Sequence, residues 1–315
     1  MRAVTTSIEH DAQLPKELRR ESSSLQVNTD GISEGGIFSV QMSDKDFMRL
    51  SKFIRDSCGI KLPPAKKTML EGRLRKRLRA LGIESFESYC EFLFSPGGSQ
   101  SEHIQMIDAV TTNKTDFFRE PDHFDYLFER VLPELVRLHG VGARKKLNVW
   151  SAACSTGEES YTLAMVLSEF AKGFPGFSFS ILATDISTAV LEKARSGIYE
   201  HDRVIPIPMM LRKKYLLKSR EKDKGLVRIA PELRNLVRFE RLNFLEEEYG
   251  IEEPMAIVFC RNVLIYFDRP TQEKLVNRLS QHLISGGYLF VGHSESLHGM
   301  DLPLVQTATT IYRKQ

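Results

Sequence analysis

From about residue 120 onward, short apolar runs alternate with helical stretches, and this alternation limits the fold more than any other feature of the 315-residue chain. Residues 147–153, 179–184, 237–242, 256–260 and 288–292 are rich in aliphatic and aromatic side chains and read as strands. Helical patterns over 158–171, 187–196 and 271–283 stand between them. Strands separated by whole helices are joined by crossovers rather than hairpins, which makes the sheet parallel. The expected class is α/β, with a doubly wound sheet. The β-branched run 305–313 is expected to return as a closing antiparallel edge. Between 197 and 236 the alternation gives way to a basic, Pro-containing stretch with one clear strand, 226–229, read as a small inserted β-subdomain.

The chain before residue 113 follows a different pattern. Residues 1–36 are polar, with no apolar period, and read as a disordered tail. Phe47, Leu50, Phe53 and Ile54 then recur at helical spacing after Ser43, an expected N-cap. In the next helix Leu70, Leu74, Leu78 and Leu81 form one stripe. Around it stand Lys66, Lys67, Arg73, Arg75, Lys76, Arg77 and Arg79, with only Glu71 of opposite sign. A third helix, 86–94, ends at Ser95-Pro96-Gly97-Gly98, and a fourth leads from near Glu102 into Thr111-Thr112-Asn113. The expected layout is a tail over 1–36, an all-α domain over 37–112, and an α/β domain over 113–315 that carries the insert 197–236.

Charge and cysteine usage narrow the class further. A net charge of +3 is too small to argue for nucleic acid by itself, so only the clustering of the basic residues matters. Cys58, Cys90, Cys154 and Cys260 show neither zinc-ligand spacing nor a disulfide framework, and the eight histidines give no metal-binding cluster. No metal is expected. Free thiols and the absence of a signal or spanning run lead to the expectation of a cytoplasmic protein with no membrane insertion.

In an open α/β sheet the ligand lies beyond the carboxyl ends of the strands. The first strand ends in Ser151-Ala152-Ala153-Cys154-Ser155-Thr156-Gly157-Glu158-Glu159, whose small residues let backbone approach a ligand. It lacks the Gly-x-Gly-x-x-Gly fingerprint, which weakens a nicotinamide dehydrogenase reading. An acidic helix start repels a pyrophosphate and suits a cationic amine or sulfonium; a plain turn with acidic capping remains the alternative. Asp185 ends the second strand, where an acid commonly holds ribose hydroxyls, although Asp185 or Ser187 can equally cap the next helix. Asn243 and Phe244 follow the third strand and can bracket a flat ring, or be a loop amide and a core aromatic. Arg261 and Asn262 tip the buried fourth strand, where unpaired burial would be expensive, so they are expected to face a ligand.

These segments together resemble the CheR-type chemotaxis receptor glutamate methyltransferases. The stretches that carry the resemblance run from Arg73 to Gly82, Thr111 to Glu120, Trp150 to Glu159, Glu192 to Tyr199, Phe259 to Phe267 and Gly292 to Glu295, in that order. The resemblance implies a helical N-terminal domain, a Rossmann-like methyltransferase domain and an inserted antiparallel β-subdomain. It implies S-adenosylmethionine as cofactor, with contacts from Asn113, Thr115, Arg119, Glu159, Asp185, Asn243, Phe244, Arg261 and Asn262. Of these, Asn113, Thr115 and Arg119 rest on the resemblance alone; their segment otherwise reads as a linker.

The implied reaction esterifies receptor glutamates, which are already ionised at neutral pH with a pKa of about 4.3, so no general base is needed. Arg119 and Tyr266 are the side chains expected to steer the carboxylate and hold the cofactor's charged end. The basic face of Arg73, Arg75, Lys76, Arg77 and Arg79 suits docking to an acidic receptor helix; it has no interleaved aromatics for stacking on bases, so nucleic acid is not the expected partner. A monomer is expected. Rival readings are an amino-group methyltransferase, for which the stretch 262–266 lacks the characteristic Pro-Pro, and a non-catalytic adaptor of the same fold. Family members that tether to a receptor-tail pentapeptide carry Gly-x-Gly in a β-subdomain loop. Here that loop is Lys218-Ser219-Arg220-Glu221-Lys222-Asp223-Lys224-Gly225, and no pentapeptide tether is expected.

Overall fold

The computed structural model describes residues 41–95, 100–219 and 225–315. The tail 1–36 and most of the charged loop 218–225 lie outside these residues.

Among the described residues four α-helices come first: α1 (Asp44–Cys58), α2 (Lys67–Leu81), α3 (Phe86–Phe94) and α4 (Gln100–Val110). Ser43 caps α1 by accepting the Asp46 N–H, and Gly59 ends it in the left-handed conformation. Leu50, Ile54, Leu70, Leu74, Leu78, Phe86, Tyr89 and Leu93 bury their side chains together as a separate helical core. Leu70, Leu74 and Leu78 of the α2 stripe thus face inward, as their spacing requires, whereas Leu81 at the helix end is exposed.

A crossing segment, 111–121, leads into α5 (Asp122–Tyr126), a π turn (Leu127–Val131) and α6 (Leu132–His139). The α/β part then contains β1 (Leu147–Ala152), α7 (Glu158–Ala171), β2 (Phe179–Asp185) and α8 (Thr188–Ser196). The insert holds β3 (Ile198–Glu200), α9 (Met209–Tyr215), β4 (Leu216–Lys218), β5 (Leu226–Ile229) and α10 (Pro231–Arg234). The chain ends with β6 (Val237–Arg241), β7 (Met255–Phe259), α11 (Arg269–His282), β8 (Leu283–Phe290), β9 (Leu304–Ala308) and β10 (Ile311–Lys314).

The main sheet runs β6-β2-β1-β7-β8-β10-β9. Counting only its own strands in chain order, this is 3-2-1-4-5-7-6. The first five are parallel, and β10 pairs antiparallel with both β8 and β9. The run 305–313 is therefore a hairpin rather than one closing strand. Thr310, at φ 57°, turns the chain inside a stretch whose composition reads as continuous β. The insert forms its own antiparallel sheet, β3-β5-β4. Two of its strands are only three residues long, too short to leave a periodic signal. The order reverses between β1 and β7, and this switch point places a crevice at the strands' carboxyl ends.

Candidate active site

A cavity of about 320 Å³ occupies that crevice, within the range of small-molecule sites. Its wall comes from the strand-tip loops, from the crossing segment, and from the helical part through Cys58, Ile60, Lys61, Leu62, Lys66 and Met69. Asn113, Thr115, Arg119, Glu159, Asp185, Asn243, Phe244, Arg261, Asn262 and Tyr266 all line it. Ten residues spread over 154 positions are thereby brought to one place.

The β1 turn is wound unusually tightly. Ala153 and Ser155 have φ of 63° and 50°, and Gly157 has φ of 93°. A Cβ on Gly157 would lie 2.9 Å from the Ala194 Cβ, so glycine lets the turn rest directly on α8. The Ser155 N–H donates to Asp185 Oδ2 at 2.8 Å, and the Ser187 N–H to Oδ1 at 3.0 Å. Asp185 therefore braces the turn and the start of α8 while facing the cavity; Ser187 is the actual N-cap. Burial pushes the Asp185 carboxyl above its ordinary range, against those N–H donors. Such a group retains lone pairs for hydroxyl donors or a cation.

The two acids at the start of α7 have different jobs. Glu158 is fully buried away from the cavity; it accepts from Thr156 Oγ1 at 2.6 Å and Arg203 Nη2 at 2.9 Å. Arg203 also donates to Asp116 Oδ1 (2.9 Å) and the Thr115 carbonyl (2.5 Å), fastening the insert to the crossing segment. Nothing local in the basic stretch around Arg203 marks it for this role. Glu159 faces the cavity, accepting from Ser151 Oγ at 2.8 Å and pairing with Arg261 Nη1 at 3.3 Å. Burial raises its pKa, opposed by Arg261 and Ser151.

Arg261 and Asn262 line the cavity, but the reason given for expecting a ligand there is corrected: their partners are in the protein. Arg261 pairs with Glu120 at 2.8 Å as well as Glu159, and its guanidinium lies 5.4 Å from the Phe124 ring centroid and 5.8 Å from that of Phe259. Asn262, at φ 59°, donates its amide to Glu120 Oε1 at 3.2 Å. Glu295 holds this loop by accepting from the N–H groups of Asn262 (2.8 Å), Leu264 (2.7 Å) and Gly292 (2.6 Å). Glu120 and Glu295 stand in stretches that carry the resemblance, and only the fold reveals their work.

The Asn243 side chain is likewise engaged, donating to the Ser57 carbonyl at 2.7 Å and accepting from the Leu245 N–H at 3.1 Å. Phe244 packs near Tyr249 and Phe267. Tyr266 is half-buried, and its carbonyl accepts the Lys61 N–H at 3.0 Å, a second tie to the helical part. Arg119 is half-buried and donates to the Lys114 carbonyl at 3.2 Å. Three cavity-lining lysines, Lys61, Lys66 and Lys114, are exposed and form a basic rim.

On the helix read as a docking face, Arg73 and Arg77 are engaged within the protein. None of Arg73, Arg75, Lys76, Arg77 and Arg79 lines the cavity. Arg73 donates to the Val110 carbonyl and to Thr112 Oγ1 (2.8 Å). Arg77 pairs at 2.5 Å with the buried Glu102, whose other oxygen accepts the Tyr89 hydroxyl at 2.8 Å. Glu71 is thus not the sole opposing charge: Glu102 arrives from α4, a neighbour invisible to helical spacing. Lys76 and Arg79 are the exposed members.

Two histidines do converge in space: His123, His293 and Glu120 place ligand-type atoms within 4.8 Å of one another. The arrangement suits a divalent ion poorly, because the Arg261 guanidinium already sits 2.8 Å from the Glu120 Oε2 that would bind it. A second cation there would meet a buried positive charge.

A 3-2-1-4-5-7-6 sheet with carboxylates beyond the ends of its first two strands is a Rossmann-like fold, and with the family match over its whole length it is an S-adenosylmethionine-dependent methyltransferase. The pattern of the CheR methyltransferase SAM-binding domain matches residues 113–312, and that of the CheR methyltransferase all-alpha domain matches 45–111. The chain belongs to the CheR methyltransferase family. It is 38% identical over 277 residues to the chemotaxis protein methyltransferase of Borreliella burgdorferi, covering 87% of this chain and 96% of that one. It is 40% identical to the chemotaxis protein methyltransferase of Salmonella typhimurium (86% and 90% covered) and 39% identical to that of Escherichia coli (86% and 91%).

Proposed function

We propose that this enzyme transfers a methyl group from S-adenosylmethionine to glutamate carboxylates of chemotaxis receptors, in the cytoplasm, and that the cavity-lining residues named above hold the cofactor. The observation that carries this reading is the charge layout of the cavity, acidic inside and basic at the rim. Glu159 and Asp185 are carboxylates whose buried setting favours a cationic or hydroxyl-bearing partner. Lys61, Lys66 and Lys114 present positive charge where an acidic substrate enters and an amine would be repelled.

The residues fit S-adenosylmethionine by chemistry: Asp185 for ribose hydroxyls, Glu159 for the ammonium, Phe244 beside the adenine, and Asn113, Thr115 and Arg119 over the top. Bound there, the cofactor supplies an electrophilic methyl group on a sulfonium. Arg119 and Tyr266 steer the substrate carboxylate without taking a proton from it, because the nucleophile is already ionised. The helical part closes the cavity through Ile60, Leu62 and Met69, excluding water from a reaction that brings opposite charges together.

The test is methylation of receptor with labelled cofactor, followed by alkali. A glutamate ester releases methanol, whereas an N-methyl product survives. Arg119→Ala and Tyr266→Phe should lower ester formation more than they lower thermal stability. An alkali-stable product would point to an amino-group methyltransferase, and cofactor binding without any product would point to an adaptor.

A further inference from the structure

Glu120 does not line the cavity, yet its carboxylate gathers the groups that do. Its Oε2 accepts from Arg261 Nη2 at 2.8 Å and from the His293 N–H at 3.3 Å, and its Oε1 accepts from Asn262 Nδ2 at 3.2 Å. His123 Nδ1 stands 3.6 Å from Oε2, behind the carboxylate, while its Nε2 lies 2.9 Å from Thr310 Oγ1 on the β9–β10 turn. Two strand tips, those of β7 and β8, and the start of α5 thus meet on one side chain of the crossing segment.

The backbone explains what the meeting achieves. Phe118 and Glu120 have φ of 53° and 57°, a left-handed conformation that L side chains rarely adopt, and Arg119 lies between them. Such residues persist only where their surroundings dictate them. The Phe118 N–H is held by Thr162 Oγ1 at 3.2 Å. The Arg119 carbonyl is held at 2.5 Å by Arg261 Nη2, the same nitrogen that pairs with Glu120. The other terminal nitrogen of Arg261 reaches Glu159.

We infer that Glu120 is a positioning residue for the cofactor pocket, acting through Arg261 and Asn262 to hold Arg119 over the cavity and to keep Arg261 from turning wholly onto Glu159. Without the Glu120 charge, Glu159 is left as the acidic partner of Arg261, whose charge is drawn onto that interior acid, and the segment bearing Arg119 loses one of its anchors. Burial opposes ionisation of Glu120, but hydrogen bonding to Arg261 and its charge outweigh burial and hold the pKa at about 2, so the anchor is charged at any working pH.

The inference rests on the cofactor occupying this cavity and not on which carboxylate is methylated, so binding is measured without receptor. Glu120→Gln and Glu120→Asp are made in the full chain and titrated calorimetrically with S-adenosylhomocysteine beside the wild type. Ligand-free melting and receptor KM are recorded in parallel. Glu120→Gln should weaken binding about tenfold or more, the equivalent of one charge-assisted hydrogen bond, and raise the KM for S-adenosylmethionine to match. Receptor KM should rise by less than the cofactor KM, since Glu120 reaches the substrate side only through Arg119, and Glu120→Asp, which keeps the charge, should recover part of the loss. If the Gln variant has no cooperative melting transition, the Asp variant is judged by the same split. Wild-type affinity in Glu120→Gln, or a loss that raises both KM values by the same factor and follows the fall in melting temperature, overturns the inference.

Discussion

Gly292 follows β8 and presses against the strand-tip loop that carries Asn262. A Cβ built at this position lies 2.4 Å from Asn262 Nδ2, 2.9 Å from its Cγ and 2.9 Å from its backbone N. The side-chain atoms can swing aside only by giving up the bond to Glu120, and the backbone N is fixed by Glu295 at 2.8 Å. Gly292→Ala is therefore an overpacking substitution, expected to cost about 1–3 kcal/mol. At roughly 2–4 °C per kcal/mol for chains approaching this size, the melting temperature should fall by roughly 2–12 °C. Affinity for S-adenosylhomocysteine should fall as well, because the displaced residue lines the cavity. Gly72 provides the opposite case within the same chain. It lies inside α2, is exposed, and has nothing within 4 Å of a built Cβ. Gly72→Ala should therefore stabilise by about 0.5–1 kcal/mol through helix propensity alone. Thermal melts and calorimetry on the two variants decide the matter. Unchanged melting and affinity in Gly292→Ala, or destabilisation in Gly72→Ala, would refute the reasoning from local space.

Asp185→Ala should weaken S-adenosylmethionine binding by roughly 1.5–3 kcal/mol, the value of a charge-assisted hydrogen bond, and equal calorimetric affinity would remove Asp185 from the site. Burial and the nearby Arg261 charge lower the His123 pKa to about 4, below the ordinary His value, so the unfolded chain takes up a proton first as pH falls. The stability this neutral His contributes is complete above about pH 6.5 and is lost on descending through pH 4; urea melts at pH 7.5 and 5 should show the fall, and His123→Gln should flatten it. On α2, Lys76→Glu with Arg79→Glu should raise receptor KM and flatten its salt dependence. Arg77→Glu should instead cost about 3–5 kcal/mol of stability by setting a second acid against buried Glu102; equal receptor KM in the Lys76/Arg79 double variant would leave that face a plain surface. A free receptor-tail pentapeptide titrated at tens of micromolar, where about −6 kcal/mol of binding is needed, should give no heat. A saturable signal abolished by changes in residues 218–225 would show that the missing Gly-x-Gly was over-read.

Much of the architecture was legible because it repeats along the chain. Strand and helix alternation, leucine spacing in α2 and the Ser43 cap are local, and local patterns survive in a linear text. The α7 range, Glu158–Ala171, coincides with its periodic stretch for this reason. The position of the cavity followed from topology, since acids and small residues at the ends of parallel strands must converge at the switch point. The amino-acid order therefore determined the class, the crevice and part of its lining, with Asn113, Thr115 and Arg119 legible through the resemblance alone and Ile60, Leu62 and Met69 not legible at all. What only the tertiary structure decided is how their charges are spent. Arg261 reads as a ligand contact until Glu120, 141 positions away, is seen to hold it; Arg77 reads as a docking charge until Glu102 arrives from another helix. The hairpin hidden in 305–313 turns at Thr310, where composition alone favours a continuous strand. For both arginines a burial cost is set by a partner distant in sequence, and spacing along the chain carries no information about such a partner until the chain has folded.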